Sequence, residues 1–215
     1  MYENKKILAI IPMRKGSKRL PDKNIRKMCG VPMWEWTFIA AERSRYVDWV
    51  MVSTDYERGD LRMGNGDLLG PRYYRRRSID LCQDDTLLCE VATSIIKEHT
   101  CDIVVMLQPT SPLRTEEHID LAIHQYFDMK EKPLASITSE DFVTKEGDRI
   151  CTPVRNGAIY IKAADDIGEF RAESTFYMLP EFSIDIDTLW EFNVAECLME
   201  KRNRSISKSI SGAGL

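Results

Sequence analysis

A short, largely apolar run that ends in a cation-rich loop is the strongest constraint on this chain. Residues 6–11 suit a buried strand, and residues 11–24 then read IPMRKGSKRLPDKN. The loop carries five cations, which are Arg14, Lys15, Lys18, Arg19 and Lys23. It can wrap a polyphosphate, because Gly16 lets the backbone approach an anion, turn N–H groups bind its oxygens and the cations neutralise its charge. The GxxxxGK[ST] spacing of the P-loop is absent, so a solvated basic loop is the ordinary alternative.

Composition limits the classes of function. The chain has 215 residues, 43% of them apolar, which suits one globular domain. Its net charge is −4 and its cations concentrate at 14–27 and 72–77, so we expect an anionic partner at one site and no nucleic acid. No apolar run approaches 18 residues, so no membrane partner is expected. The six cysteines form no CxxC pair and no zinc spacing, and no signal peptide is evident, which predicts reduced thiols in a cytoplasmic protein.

Apolar periodicity predicts alternating strands and helices. The predicted strands are 6–11, 47–53, 102–108, 134–138, 156–162 and 175–179. The predicted amphipathic helices are 32–44, 86–99, 116–130 and 189–201. This order predicts a three-layer α/β fold with a sheet that is mostly parallel in the first half of the chain. We expect a single domain over 1–201, with a loop or short hairpin at 139–155 and a flexible tail at 202–215.

Polar groups follow the apolar runs at two further places. After strand 102–108 the chain continues as PTSPLR, where two prolines fix a loop rich in hydrogen-bonding groups, as in a ligand-binding loop. Farther on, Asp185 and Asp187 alternate along an extended segment, so both carboxylates lie on one face. Such a pair can hold Mg²⁺ together with substrate phosphates and water, although a charge pair at a helix N-terminus is the ordinary alternative. Combined with the cationic loop, this pair indicates nucleoside triphosphate chemistry.

Four segments resemble motifs of one enzyme family, in that family's order. They are IPMRKGSKRLPDKNI, LQPTSPLR, NGAIYI and SIDIDT. Through them the chain resembles the CMP-sialic acid synthetases, which are acylneuraminate cytidylyltransferases. The resemblance implies a Rossmann-like nucleotidyltransferase fold with a small dimerisation element, and a homodimer. It also implies an Mg²⁺-dependent reaction in which CTP and a 2-keto sugar acid, an N-acylneuraminate or a relative, give a CMP-sugar and pyrophosphate.

The resemblance also assigns roles to individual residues. It implies nucleotide contacts from Met13, Arg14, Gly16, Ser17, Lys18, Lys23, Asn24, Asp84 and Asp85. It implies sugar contacts from Gln108, Thr110, Ser111, Arg155, Asn156 and Tyr160. Asp185 and Asp187 would bind Mg²⁺, while Arg14 and Lys23 would offset charge on the leaving pyrophosphate. On the residues alone, Asp84 and Asp85 could instead cap the next helix, and Arg155 could instead form a surface salt bridge.

The chain departs from the family pattern at three places. Met13 stands where alanine is common, with little expected consequence because the backbone makes the contact there. The 139–155 stretch is short, so we expect a shortened dimerisation element. Residues 56–81 match poorly, and their RYYRRR run fits a solvated edge segment better than a nucleotide contact.

Three alternatives to a sialate-type enzyme follow from the sequence. The first is a 3-deoxy-manno-octulosonate cytidylyltransferase, but that family tends to have Lys-Pro after its loop, and Lys23-Asn24 here favours the sialate type. The second is a relative that activates legionaminic acid with GTP. The third is a nucleotide-binding homologue without catalysis, which the short 139–155 stretch suggests.

Overall fold

Each predicted strand and helix has a counterpart in the computed structural model, which describes residues 1–143 and 149–212. The strands are β1 (Ile7–Pro12), β2 (Lys27–Met28), β3 (Val31–Pro32), β4 (Trp49–Thr54), β5 (Tyr74–Arg76), β6 (Ile103–Leu107), β7 (Leu134–Val143), β8 (Arg149–Ala163) and β9 (Ser174–Tyr177). The helices are α1 (Met33–Arg43), α2 (Leu88–Ile96), α3 (Glu116–Asp128) and α4 (Leu189–Gly212).

Seven of the described strands form one sheet, in the order β5–β4–β1–β6–β8–β7–β9. Strands β5, β4, β1 and β6 run parallel, β8 runs antiparallel to both β6 and β7, and β9 is parallel to β7. The prediction of a sheet that is mostly parallel in the first half of the chain is therefore confirmed. The loops that follow β1, β4 and β6 leave the same edge, which is where open α/β sheets bind ligands.

Alternate side chains of β1 enter two separate cores. Ala9 lies in a buried cluster with Phe38 of α1 and Ile123 of α3, whereas Ile10 lies in a cluster with Ile95 of α2. Successive strand residues point to opposite faces, so helices cover both faces of the sheet and the three-layer prediction is confirmed. Each fully buried aliphatic side chain in these cores contributes about 1.5–3 kcal/mol of transfer free energy.

Helix α4 packs against the basic loop and the chain that follows it. Leu20 and Met28 lie in a third buried cluster with Phe192 and Met199 of this helix. The guanidinium of Arg26 also lies over the Phe192 ring, at 5.5 Å from its centroid. Apolar packing therefore fixes the basic loop relative to α4.

The described part of 139–155 is a hairpin rather than a loop. Strands β7 and β8 continue their antiparallel pairing as far as Val143 and Arg149, beyond the predicted strand limits. The additional pairs satisfy backbone hydrogen bonds that an irregular loop would leave to water. Residues 144–148 lie outside the described residues.

The predicted flexible tail at 202–215 is helical as far as Gly212, so the prediction that the last helix ends at residue 201 was wrong. Arg202 holds the first residue beyond the predicted end, because its Nη1 donates to the carbonyl oxygen of Leu113 at 3.1 Å. Residues 213–215 lie outside the described residues. Neither α4 nor any other helix in the described ranges is long and apolar enough to cross a membrane.

The RYYRRR run supplies the edge strand β5, as expected, after a series of short turns. Arg77 at its end is an exception to the solvated interpretation, because it is buried. Its Nη2 donates to the carbonyl oxygen of Ser53 at 2.7 Å and its Nε to the Ser53 hydroxyl at 3.2 Å. Burial lowers the pKa of this guanidinium. The RYYRRR run therefore combines solvent-accessible residues with one buried arginine, Arg77, which is bound to Ser53.

Candidate active site

A cavity of about 430 Å³ opens where β1 and β6 end. Nine of the residues predicted from the sequence line it, namely Arg14, Ser17, Lys18, Lys23, Asn24, Asp84, Gln108, Thr110 and Asp187. Arg19, Leu20 and Leu88 line it as well, although the sequence analysis gave them no site role. Arg19 could have been included, because it is one of the five cations of the loop. The apolar residues carried no comparable signal.

Backbone geometry closes the basic loop around this cavity. Gly16 has φ +76°, a left-handed conformation that glycine adopts without the steric cost of a Cβ. The Asn24 amide Nδ2 donates to the carbonyl oxygen of Arg14 at 3.0 Å, which joins the two ends of the loop. Met13 is buried beneath it, and its N–H donates to the carbonyl oxygen of Ser53 at 2.9 Å. Met13 therefore supports the loop through its backbone and lies outside the cavity lining.

One side of the cavity is held by ion pairs to Asp187. The buried Lys23 donates through Nζ to Asp187 Oδ1 at 2.8 Å and to the carbonyl oxygen of Ile186 at 2.7 Å. Arg19 Nη2 donates to Asp187 Oδ2 at 2.5 Å. Lys23 was predicted to contact a phosphate, and in the protein without a ligand Asp187 pairs with both Lys23 and Arg19.

A second carboxylate of the cavity lining, Asp84, pairs with two other cations of the loop. Its Oδ1 accepts from Arg14 and its Oδ2 accepts from Lys18. These hydrogen bonds and the nearby positive charges lower the pKa of the Asp84 carboxyl. The fifth cation, Lys15, does not line the cavity, and its Nζ lies 3.3 Å from Oδ2 of Asp60. Each cation of the loop thus has a carboxylate partner.

The segment that carries Asp185 and Asp187 is anchored from both sides. Ile186 N–H donates to the carbonyl oxygen of Thr110 at 2.8 Å. Glu191 Oε2 accepts hydrogen bonds from the N–H groups of Asp187 and Thr188, at 2.8 and 2.7 Å, and from the Thr188 hydroxyl at 2.9 Å. These contacts form a capping box at the start of α4. They fix the backbone from which the two aspartates project.

Asp185 lies next to the cavity, with its side chain accessible to solvent. Partial desolvation raises the pKa of its carboxyl, a hydrogen bond from the Thr110 side chain opposes this, and the nearby Asp187 charge raises the pKa further. Two carboxylates therefore lie within electrostatic reach of each other, and added positive charge would relieve their repulsion.

These two carboxylates fit a hard divalent cation. The described residues contain no group of three or more His, Cys, Asp and Glu side chains that could hold a metal by themselves. Mg²⁺ does not require one, because it is usually bound by one or two carboxylates together with substrate phosphates and water. Asp185 and Asp187 are the residues that would hold it.

Gln108 and Asp185 meet at Gly157. This glycine has φ +72°, and a Cβ placed on it would lie 2.8 Å from Oε1 of Gln108 and 3.7 Å from Oδ2 of Asp185. The NGAIYI segment therefore approaches the cavity through a backbone without a side chain. This contact joins three of the four motifs at one place.

Asn156 supports the site from within the protein instead of lining it. It is buried, and its Oδ1 accepts from the Ser136 hydroxyl at 2.5 Å and from Ala158 N–H at 3.2 Å. Its Nδ2 donates to the Ser183 hydroxyl at 3.0 Å. All of these partners are protein groups, so Asn156 ties β7 and β8 to the start of the aspartate segment.

Four other residues predicted from the sequence lie outside the cavity lining. Ser111 is fully buried, and its hydroxyl has no hydrogen-bond partner among the described residues. Asp85 and Arg155 are exposed, and Tyr160 is half-buried with its ring 5.9 Å from that of Phe170. Burial raises the pKa of Tyr160, while Arg155 lowers it and Asp185 raises it. Tyr160 is therefore near both of these charged groups.

Arg114 of the LQPTSPLR motif is a structural residue that the sequence analysis left without a role. It is buried, donates to the carbonyl oxygen of Ala158, and reaches Thr37 Oγ1 at 2.9 Å. Burial lowers the pKa of its guanidinium to about 9. It joins α1, β8 and the loop after β6, and so fixes the backbone that carries Gln108.

Known proteins resemble this chain in sequence. Residues 8–188 match the family model described as Cytidylyltransferase. CMP-N,N'-diacetyllegionaminic acid synthase of Legionella pneumophila is 32% identical over 94% of this chain and 99% of its own length. N-acylneuraminate cytidylyltransferase A of Danio rerio is 28% identical over 90% of this chain, which spans only 51% of that longer protein.

A solved structure agrees at the level of the fold. CMP:2-keto-3-deoxy-manno-octonic acid synthetase complexed with CTP has a TM-score of 0.70 and 16% identity, over 92% of this chain and 99% of that one. The predicted nucleotidyltransferase fold is therefore confirmed. On the family match and these similarities, the chain belongs to the cytidylyltransferase family.

Proposed function

We propose that this chain is an enzyme that joins CTP to a 2-keto nonulosonic acid, an N-acylneuraminate or a relative such as a legionaminic acid, and releases pyrophosphate. The observation that carries the proposal is the pairing of a cation-lined cavity with the aspartate segment next to it. Arg14, Lys18 and Lys23 line the cavity and would bind the triphosphate, and Asp185, which lies next to the cavity, would act at the reacting end.

The proposed reaction is an in-line displacement at the α-phosphorus of CTP. The anomeric hydroxyl of the sugar acid loses its proton to solvent and forms the new P–O bond, the bond from the α-phosphorus to the oxygen that bridges it to the β-phosphorus breaks, and the electron pair leaves with pyrophosphate. Lys23 and Arg14 stabilise the charge that develops on the leaving group, because fixed cations in a partly enclosed site need little reorganisation. Lys23 suits this role best, since it is buried and held by Ile186 and Asp187.

Asp185 and Asp187 would hold Mg²⁺ in this proposal. When bound, the ion would neutralise phosphate charge and lower the pKa of a coordinated hydroxyl. Glu191 and the Thr110 carbonyl would keep the two aspartates oriented through the backbone contacts at the start of α4. Lys23 and Arg19 would then be available to phosphate oxygens.

The sugar acid would bind between Gln108 and β8. Gln108 and Thr110 line the cavity, and the Gly157 backbone brings Gln108 close to Asp185. Arg155 is exposed on β8, electrostatically coupled to Tyr160, and a guanidinium suits a sugar carboxylate because it can bind both oxygens. Asn156 and Ser111 would act from behind this surface.

We also propose a homodimer in a cytoplasmic setting. Four large apolar side chains between the end of β9 and the start of α4 are exposed, namely Tyr177, Leu179, Leu189 and Trp190. Exposed apolar groups of this size are frequent at protein interfaces. All six cysteines are free, which suits a reducing compartment. Sedimentation velocity would test the dimer, and a monomer at micromolar concentration would contradict it.

Mass spectrometry of the reaction products tests the proposed function. The protein would be incubated with CTP, Mg²⁺ and each of several acids: an N-acylneuraminate, a legionaminate, a pseudaminate and 3-deoxy-manno-octulosonate, with GTP in parallel. We expect a CMP conjugate of one nonulosonic acid. A conjugate that forms only with 3-deoxy-manno-octulosonate, or only with GTP, would contradict the proposed substrates. It would still support nucleotidyl transfer as the type of reaction.

A further inference from the structure

Asp84 bridges two cations of the basic loop. One of its oxygens accepts from Arg14 and the other from Lys18, although Asp84 lies 70 and 66 residues away from them in the chain. All three side chains line the cavity. A carboxylate that offers two oxygens to two cations satisfies the donors that a phosphate group of a ligand would use.

The segment around Asp84 is otherwise held by short-range contacts. The described hydrogen bonds of residues 79–86, apart from the two ion pairs, span four residues or fewer; they include Gln83 N–H to Thr86 Oγ1 at 3.1 Å and Gln83 Nε2 to the Ile79 carbonyl at 3.0 Å. Asp84 can therefore withdraw without breaking any other long-range hydrogen bond that the described residues form.

Asp187, the other carboxylate of the cavity lining, differs in this respect. Its own N–H is bound by Glu191, and the neighbouring Ile186 N–H is bound by Thr110. Its backbone therefore stays in place when its ion pairs open. Of the two carboxylates that pair with cavity-lining cations of the loop, Asp84 is the one suited to leave.

We propose that Asp84 is an internal anion that competes with the polyphosphate of the ligand for Arg14 and Lys18, and thereby sets affinity and selectivity for that ligand. The identity of the ligand, CTP, rests on the proposed function. A ligand that binds the same donors of these cations must open both ion pairs, which lowers its apparent affinity. A triphosphate carries more charge than one carboxylate and can displace it, whereas a nucleoside without phosphate gains nothing from doing so.

The proposal predicts that replacing Asp84 changes the ligand affinity in the opposite direction from the change expected if Asp84 bound the nucleotide directly. Replacing a contacting carboxylate weakens binding, whereas removing a competitor strengthens it. Removal of these two exposed ion pairs should tighten polyphosphate binding by roughly three- to tenfold. Cytidine, which lacks phosphate, should bind with unchanged affinity.

Isothermal titration calorimetry with inorganic tripolyphosphate, CTP and cytidine tests this in wild-type protein, Asp84→Asn and Asp80→Asn. Asp80 is exposed, lies outside the cavity lining and provides the same change in net charge. We expect Asp84→Asn to bind tripolyphosphate and CTP three- to tenfold more tightly, with a smaller change in Asp80→Asn. Circular dichroism would verify that both variants are folded.

The outcomes separate this inference from the proposed function. Tripolyphosphate that binds Asp84→Asn more weakly than wild type, equally well, or no more tightly than it binds Asp80→Asn would overturn the inference. Tighter tripolyphosphate binding without any binding of CTP would uphold the role of Asp84 and reject CTP as the ligand.

Discussion

Replacing Gly157 with alanine should impair sugar binding selectively, because this glycine has two separate constraints. Its φ of +72° is unfavourable for any residue with a Cβ. A Cβ would also lie 2.8 Å from Oε1 of Gln108, which is closer than non-bonded atoms approach. Gln108 is flexible at that end, so its amide should rotate away and leave the backbone nearly unchanged.

The first constraint affects the stability of the protein, and the second affects its affinity for the sugar acid. A left-handed conformation costs a non-glycine residue about 1–2 kcal/mol of stability. In a chain of this size, each kcal/mol lowers Tm by about 2–4 °C. Loss of one hydrogen bond from Gln108 to the sugar acid costs about 0.5–1.5 kcal/mol of binding free energy. The KM for the sugar acid should therefore rise roughly three- to tenfold, while that for CTP should stay near wild type.

Gly66→Ala is the matched control. Gly66 has φ +91°, and no atom lies within 4 Å of the position that a Cβ would take, so it carries the backbone cost without a contact at the site. Both variants would be compared by thermal unfolding and by steady-state kinetics. Both should lose Tm to a similar extent, and only Gly157→Ala should raise the KM for the sugar acid. Unchanged sugar kinetics in Gly157→Ala, or an equal rise in the KM for CTP, would refute the reasoning.

Three further changes test other parts of the account. Lys23→Ala should weaken CTP binding by about 1–3 kcal/mol, as expected for a hydrogen bond to a charged group; unchanged affinity in calorimetry would remove Lys23 from the site. Asp185→Asn should abolish turnover in a folded protein, so near-normal pyrophosphate release with a wild-type circular dichroism spectrum would exclude the metal role. Glu35 is buried, accepts from Gly64 N–H at 2.7 Å, and has its pKa raised by burial. Burying the charged Glu35 carboxylate lowers the stability of the wild type, and Glu35→Gln avoids this cost. The Tm of the variant should therefore exceed that of the wild type by most at neutral pH, and the difference should shrink as the pH falls toward about 4. A difference that does not depend on pH would contradict this.

Local pattern was sufficient to predict most elements of this fold. The apolar runs that became β1 and β6 lead through polar loops to helical patterns, and this alternation indicates parallel strands whose loops share an edge. The capping box of Thr188 and Glu191 is equally local, because both partners lie within one helical turn. These features depend on residues that are close together in the sequence, so they can be predicted from the sequence alone.

Features that depend on distant partners could not be predicted in the same way. Asp84 and Arg14 are 70 residues apart, so their pairing follows only from how β1 and the start of α2 meet. The burial of Asn156 and Ser111 depends on how β8 and the loop after β6 pack. The length of α4 depends in part on the Arg202 contact with Leu113, which periodicity does not encode.

Release of pyrophosphate tests the central claim most directly. The wild-type protein would be given CTP and Mg²⁺, first alone and then with each nonulosonic acid, and pyrophosphate would be quantified. The account predicts release that depends on one of these acids and equals the amount of CTP consumed. No release with any acid, from protein that binds CTP in calorimetry, would contradict the account and favour a nucleotide-binding homologue without catalysis.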